Sequence, residues 1–454
     1  MMDFAAWKTP CRFTQPPDLP QLASVDVLVV GGGAAGVAAA TVAGEAGKSV
    51  LLIEKYGFCG GAAVAGMSGT ICGMYYAREE HPNGPEQVVF GFTDRFRNAL
   101  AKRGGLTPPQ AYGKTYTATH DPLMWKETAD ELLEQAGVEL YLHAAVTGVI
   151  MDGDTFTGVV VESNAGRSVV MAKRIIDASG DAAVIARAGY RYFYGDNGRI
   201  QNPTMFFRIG GVDIETYLDY YGKDTICPPK VTDAINDARS SGNYDLPRNK
   251  IWMFPTTRPG ELMVNATRIS GKDGRSLNVI DPADFTEAEL LGRRQVREYA
   301  RFLNRYIPGC ENAYVVDTGT EVGIRQTRSI VGIEMLTNED VLECRKRDDG
   351  ICRVPWPIEL HDGEKPKLHW LLDDYYEVPF GALIPEVGEN IIVAGRCLSA
   401  EHEALASSRV TAQCFEYGHA AAQAAVYSLD HRVAMRSLSG NVIRQIMRDY
   451  GSAL

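Results

Sequence analysis

Several protein classes are excluded by what the chain lacks. Its nine cysteines include no C-x-x-C pair, which argues against a disulfide framework, a zinc site or an iron–sulfur cluster; reduced thiols and no metal are expected. A C-x-x-x-x-C pair is absent too, so disulfide-reductase chemistry is set aside. No apolar run approaches the ~20 residues needed to cross a bilayer. The first residues, "MMDFAAWKTPCRFTQPPDLPQ", contain no apolar stretch of the secretory kind, so a cytoplasmic chain without a membrane span is expected. The formal net charge is -11 and no basic block interrupts it, so nucleic acid is not an expected partner. There is no internal repeat and no low-complexity segment. What remains is a chain of 454 residues, 45% hydrophobic and 23% charged, a globular composition long enough for two domains.

The strongest local signal is "VDVLVVGGGAAGVAAA". Val25 to Val30 read as a buried parallel strand. Gly31, Gly33 and Gly36 then fit G-x-G-x-x-G: a tight turn, a close backbone approach to a pyrophosphate, and a close helix–strand packing. Ala34 and Ala35 open a helix whose N-terminal N–H groups face the phosphates. "KSVLLIE" supplies a second strand, and Glu54 at its end is placed to accept hydrogen bonds from a ribose. The chain continues from Lys55 through Cys59, Gly60 and Gly61 as a glycine-dense loop, which suits a long cofactor lying alongside it. An amphipathic helix and a strand containing Val146 follow. "TFTGVVVESNAGRSVVMAKRIIDASGDA" then reads as three short strands, a meander whose last strand returns to the sheet and ends at Ser179, Gly180 and Asp181.

Three blocks carry a resemblance to a known family: "DVLVVGGGAAGVAAA…VLLIEKYGFCGG", "IIDASGDAAVIARAG" and "ENIIVAGRCLSAEHEALASSRVTAQCFEYGHAAAQAA". The chain resembles the FAD-dependent oxidoreductases of the glutathione-reductase-like superfamily. More narrowly it resembles a bacterial branch related to the succinate dehydrogenase and fumarate reductase flavoproteins. The resemblance implies FAD as cofactor. It implies cofactor contacts at Gly31, Gly33, Ala34, Ala35, Gly36, Glu54, Lys55, Cys59, Gly60, Gly61, Val146, Ser179, Gly180, Asp181, Gly395, Arg396, Ser408, Arg409 and Val410. Many relatives have Asp where Arg396 stands. Cys59 is either a covalent flavin tether or a small buried thiol.

The resemblance also implies that the apolar helix beginning near Arg409 aims its N-terminus at the flavin. A helix N-terminus together with the Arg409 cation would stabilise the reduced, negatively charged flavin; the alternative for Arg409 is a surface ion pair with Glu401 or Glu403. His402 and Glu403, in what reads as a polar loop, are either a structural corner or catalytic. His120 is a candidate base. Arg325 and Arg328, three residues apart, would share one face of a helix and form a two-pronged anion site, or else pair with Glu321 and Glu334. Trp252, Trp370, Tyr375 and Tyr376 either wall a pocket or belong to the core.

The expected fold is α/β: a Rossmann-like FAD-binding domain with an inserted α+β substrate domain. Residues 20–75, 120–200 and 376–454 form the first domain, and 76–119 and 201–375 the second. A second G-x-G-x-x-G after a strand is absent, so no separate nicotinamide-binding domain is expected. The implied activity is movement of a hydride between a small polar substrate, with carboxylates among the candidates, and flavin N5. Oxygen, a quinone or a redox protein would act as external electron acceptor, and a homo-oligomer is compatible with the sequence. The alternative is a flavoprotein electron-transfer subunit working with a partner protein.

Overall fold

The computed structural model describes residues 10–361 and 367–454. Among them, no helix is long and apolar enough to cross a membrane, and no group of His, Cys, Asp and Glu is arranged to hold a metal ion.

Five parallel strands form the centre. Glu139–Tyr141 pairs with Val50–Ile53, which pairs with Gln21–Val30; this strand pairs with Gly166–Asp177, which pairs in turn with Ile391–Val393. In chain order the sheet therefore runs 3-2-1-4-5. The order reverses between Gln21–Val30 and Gly166–Asp177, and the glycine turn leaves the sheet at that switch point, where α/β sheets bind ligands. The C-terminal strand closes this sheet although it lies more than two hundred residues further along the chain.

The expected pair of strands within "GRSVVMAKRIID" is one twelve-residue strand, Gly166–Asp177. Its first half pairs antiparallel with Thr155–Ser163, and its second half runs parallel in the central sheet. Lys173 and Arg174 look like an interruption in the sequence. The strand continues through them because Lys173 reaches solvent, 2.8 Å from Asp26, and Arg174 bonds the Ser428 hydroxyl at 2.7 Å.

Two helices from opposite ends of the chain cover one face of the sheet. Ala34–Glu45 follows the glycine turn, and Thr411–His431 follows Arg409. Both are rich in alanine, so their axes approach closely. A Cβ on Gly418 would lie 2.0 Å from the Ala35 carbonyl oxygen, so no larger residue fits there. A third helix, Phe92–Lys102, packs on the same layer: the Phe96 ring lies 4.5 Å from Trp125 and 4.6 Å from Phe415. This part of the stretch 76–119 joins the nucleotide-side core rather than the substrate domain. Its apolar face does not itself reveal which core it meets.

A second, separate core is drawn from Met205 to Val322. It consists of the antiparallel sheet Trp252–Pro255, Leu262–Asn265, Phe207–Gly210, Tyr314–Thr318, in that spatial order. The helices Pro229–Ser240 and Pro282–Tyr306 lie beside it. The inserted domain is thus narrower than 201–375. Leu336, Ile351, Val354, Tyr376 and Val378 belong to the nucleotide-side core. A small sheet, Thr70–Ile71, Thr115–Thr119 and Gln110–Tyr112, links the lobes; Gln110 donates to the Pro255 carbonyl at 2.8 Å.

The helix contact at Gly418 is a checkable dependence. Gly418→Val should lower unfolding free energy by at least ~1–3 kcal/mol through overpacking, read by denaturant unfolding. Wild-type stability in this variant would contradict the packing described.

Candidate functional site

The turn after the first strand is built by sterics. Gly31 has φ +101°, and a Cβ there would lie 2.6 Å from the Ala178 carbonyl oxygen. A Cβ on Gly36 would lie 1.8 Å from the Gly31 carbonyl oxygen. Gly33 differs: its φ of -70° suits any residue, and a Cβ there would meet only the Gly61 Cα, at 3.8 Å. Gly33 opens instead onto a trough. The helix starting at Ala34 has no side-chain cap on its N-terminus, so its first N–H groups are left for a ligand.

Glu54 ends the second strand and secures the turn. It accepts from Gly32 N–H at 2.6 Å and Tyr56 N–H at 2.9 Å, and burial raises its pKa. The trough is lined by Gly31, Gly33, Ala34, Ala35, Glu54 and Lys55 along one stretch of chain. Gly60, Gly61, Ser179, Gly180, Asp181, Gly395, Arg396 and Arg409 complete its sequence-expected lining. Arg396 pairs with Asp181 at 2.8 Å. Burial raises the Asp181 pKa, but Arg396, Lys55, Thr327 and Arg328 outweigh it and hold the carboxyl below its ordinary value.

Five residues expected at the cofactor are placed off the trough, one of which, Val410, lines the neighbouring second cavity. Gly36 supports the turn from behind. Cys59 is fully buried, and its sulfur occupies the space beside Gly32. It lies off the trough, and burial raises its thiol pKa, so the tether reading fails. The Val146 side chain lies in the core beneath the meander, while Thr147, next along, faces a cleft that adjoins the trough at Lys55 and Asp181. Ser408 is buried in a seven-residue helix, His402–Ser408, and its carbonyl accepts from Tyr417.

A second cavity adjoins the trough and shares Ala62, Ile324, Arg396, Arg409, Thr411 and Cys414 with it. The helix Thr411–His431 starts at this junction without a side-chain cap. Arg409 is not a surface residue paired with Glu401 or Glu403. It lines both cavities and donates to Gln201 at 3.1 Å. Burial lowers its pKa to about 10.

Arg325 and Arg328 part company. The chain is irregular up to Thr327 and forms a strand over Arg328–Ile330, so the helical spacing that would align them is absent. Arg325 lines the second cavity. It donates to the Asn202 carbonyl at 2.9 Å and to the Thr204 hydroxyl, and burial pulls its pKa well below the ordinary value. Arg328 turns to the cleft beside Thr147, donating to the Asp181 carbonyl at 3.1 Å and resting over Tyr192. Neither arginine meets Glu321 or Glu334. Glu321 accepts from Tyr56 at 2.5 Å, and Glu334 faces Arg347.

The expected bases lie off the cavities. His120 is packed against Trp125, and burial lowers its pKa to about 4. His402 and Glu403 occupy the first turn of the short helix and line neither cavity. Trp252, Trp370, Tyr375 and Tyr376 line neither cavity. The aromatic wall of the second cavity is instead Tyr112, Phe206, Phe254 and Trp356. Beside the arginines it carries Ser68, Thr70 and Thr411 and also Asn265, Glu359 and His361, the last three of which no local motif marks.

The FAD dependent oxidoreductase profile matches residues 26–447. The chain belongs to this family. Its cofactor is FAD, and the open face at Gly33, two uncapped helix N-termini and the paired cavities fit that cofactor. Curated relatives match over limited spans. Urocanate reductase of Eggerthella lenta is 46% identical over 65 residues, 14% of this chain and 10% of that protein. NADH:fumarate oxidoreductase of Klebsiella pneumoniae is 27% identical over 197 residues, 37% and 20% of the two chains. Digeranylgeranylglycerophospholipid reductase 1 of Methanococcoides burtonii is 27% identical over 269 residues, 58% and 59%.

The two glycines separate folding from cofactor binding in this FAD-dependent oxidoreductase. Gly33→Val should fold with stability within ~0.5 kcal/mol of wild-type apoprotein, as expected away from packed contacts, yet purify with little FAD. Gly36→Val should fail to fold. A Gly33→Val protein with full FAD content would contradict the trough assignment.

Proposed function

We propose that the protein transfers a hydride between FAD and a small organic anion, a carboxylate, held in the second cavity. The observation that carries this reading is a set of three guanidiniums. Arg248, Arg325 and Arg409 are each buried in or beside that cavity, and none is ion-paired with a carboxylate among the described residues. Burying a cation without a partner is costly, so an anionic ligand completes the site. Relatives named for urocanate and fumarate are named for unsaturated carboxylates, which supports the same substrate class.

Bound FAD supplies a two-electron hydride acceptor or donor. The trough residues listed above would hold it. The chain's own contributions are distinct. Arg325 and Arg409 orient the anion through charge-assisted bonds. Tyr112, Phe206, Phe254 and Trp356 exclude water. Arg409 and the Thr411 helix N-terminus place positive potential at the junction of the cavities and would favour negative charge gained there on reduction of the cofactor. An external acceptor closes the cycle. A cavity with three guanidiniums in or beside it favours a small-molecule substrate over electron transfer with a partner protein alone.

Two variants test the reading. Arg325→Met should keep its FAD and lose at least tenfold in kcat/KM, since charge-assisted bonds contribute roughly 1.5–3 kcal/mol. The same variant should be more stable than wild type without substrate, by ~1–4 kcal/mol, because it removes one of three buried guanidiniums that share a single carboxylate, Glu359. Unchanged kcat/KM on an acidic substrate would refute the role. Arg409→Gln should lower the flavin midpoint potential by about 30 mV or more, equivalent to about 1.4 kcal/mol for two electrons. An unchanged potential would make Arg409 structural.

A further inference from the structure

The second cavity contains one carboxylate among its described lining residues, Glu359. It is 6% exposed and lies on the strand Ile358–Leu360. The Tyr112 hydroxyl donates to its Oε1 at 2.7 Å, and His361 Nε2 lies 3.4 Å from the same oxygen. The direction of the histidine contact is fixed from behind. Arg248 Nη2 lies 3.1 Å from His361 Nδ1, and a guanidinium donates only. Nδ1 therefore accepts, and the neutral ring carries its proton on Nε2, facing Glu359. Burial, then Arg325, Arg248 and Arg409, hold the His361 pKa well below its ordinary value, which keeps the ring neutral. The charged and titratable groups around Glu359 are thus Tyr112, Cys72, His361, Arg248, Arg325 and Arg409. Glu359 is the one carboxylate among the described residues lining a cavity that Arg248, Arg325 and Arg409 line or flank.

An organic anion bound to Arg325 and Arg409 enters the same desolvated space. It offsets part of the positive potential around Glu359, and it places a second negative charge nearby. A second carboxylate in the same dry site makes ionisation of the first less favourable, so binding favours a proton on one of them. The substrate anion holds the guanidiniums, so the proton falls to Glu359.

We infer that Glu359 is the proton-bearing group of the substrate cavity, taking up one proton from solvent when an organic anion binds among Arg248, Arg325 and Arg409. This rests on the anion-binding reading above and gives it a proton source. The proton sits on Glu359 beside the Tyr112 hydroxyl, in the cavity where hydride chemistry needs an acid in one direction and a base in the other. No residue expected from the sequence provides that group.

The FAD-loaded protein tests this without knowledge of the substrate, using acetate and crotonate as probes. Binding is read from the perturbed flavin absorbance across pH, and proton uptake from an indicator dye in unbuffered solution. The expected result is uptake approaching one proton per anion. Affinity should fall tenfold per pH unit above the pKa of Glu359 in the free protein, since the protonated form is the one that binds. Glu359→Gln should bind the anions at least tenfold more tightly than wild type at the upper end of that range, with no pH dependence and no proton uptake. Tyr112→Phe removes a donor to the carboxylate and should move the onset of the affinity loss upward by about one pH unit or more. Proton uptake that persists in Glu359→Gln, pH-independent binding in wild type, or an unmoved onset in Tyr112→Phe would overturn the inference. Failure of every probe to bind wild type and Glu359→Gln alike would instead sink the anion-binding reading beneath it.

Discussion

The structure depends on the close approach of two helices to one strand edge. Gly36 lets the Ala34–Glu45 helix press against its own turn, and Gly418 lets the Thr411–His431 helix press against Ala35. With glycine at the point of contact, two helix N-termini from opposite ends of the chain converge at the switch point of the parallel sheet. Each contributes positive potential. One faces the trough, and the other faces the junction where the trough meets the second cavity. The same convergence carries Arg396 and Arg409, which leave the C-terminal strand and the short helix after it, into that junction.

The second lobe supplies the remaining wall. Its own core, from Met205 to Val322, is separate from the nucleotide-side core, and the cavity lies where the two meet. Arg325 follows the last residue of that inner core and is anchored to Asn202 and Thr204 at its beginning. Arg248 comes from a loop inside the lobe, and Tyr112 from the small linking sheet. Cations from three chain segments therefore surround one acid. Their mutual repulsion is a cost that folding alone does not recover, and it is the physical reason to expect an anion there.

The nucleotide half was legible in the sequence because its signals are local. Strand, glycine turn, helix and terminal Glu54 occur in order within one short stretch, and Ser179 to Asp181 and Gly395 to Arg409 each follow a recognisable strand. The substrate half was not, because its residues share no periodicity. Tyr112, Arg248, Glu359 and His361 come together only through tertiary packing. Arg325 stands out in the sequence and lines the second cavity, but its pairing with Arg328 assumed helical spacing, and the chain there is irregular and then extended, which sends the two side chains to different cavities. His402 and Glu403 looked like active-site loop because Ser and Glu dominate the stretch; Ala404, Leu405 and Ala406 instead close it into a buried helical turn. Cys59 had the right neighbourhood but the wrong direction, inward beside Gly32.

The account's central claim is that the cavity beside FAD selects negative charge. The most direct measurement is an anaerobic spectral titration of the wild-type, FAD-loaded protein with matched compounds that share one carbon skeleton as acid, amide and amine. The account predicts that the acids alone perturb or bleach the flavin. Amines or amides that do so while the acids remain silent would contradict it.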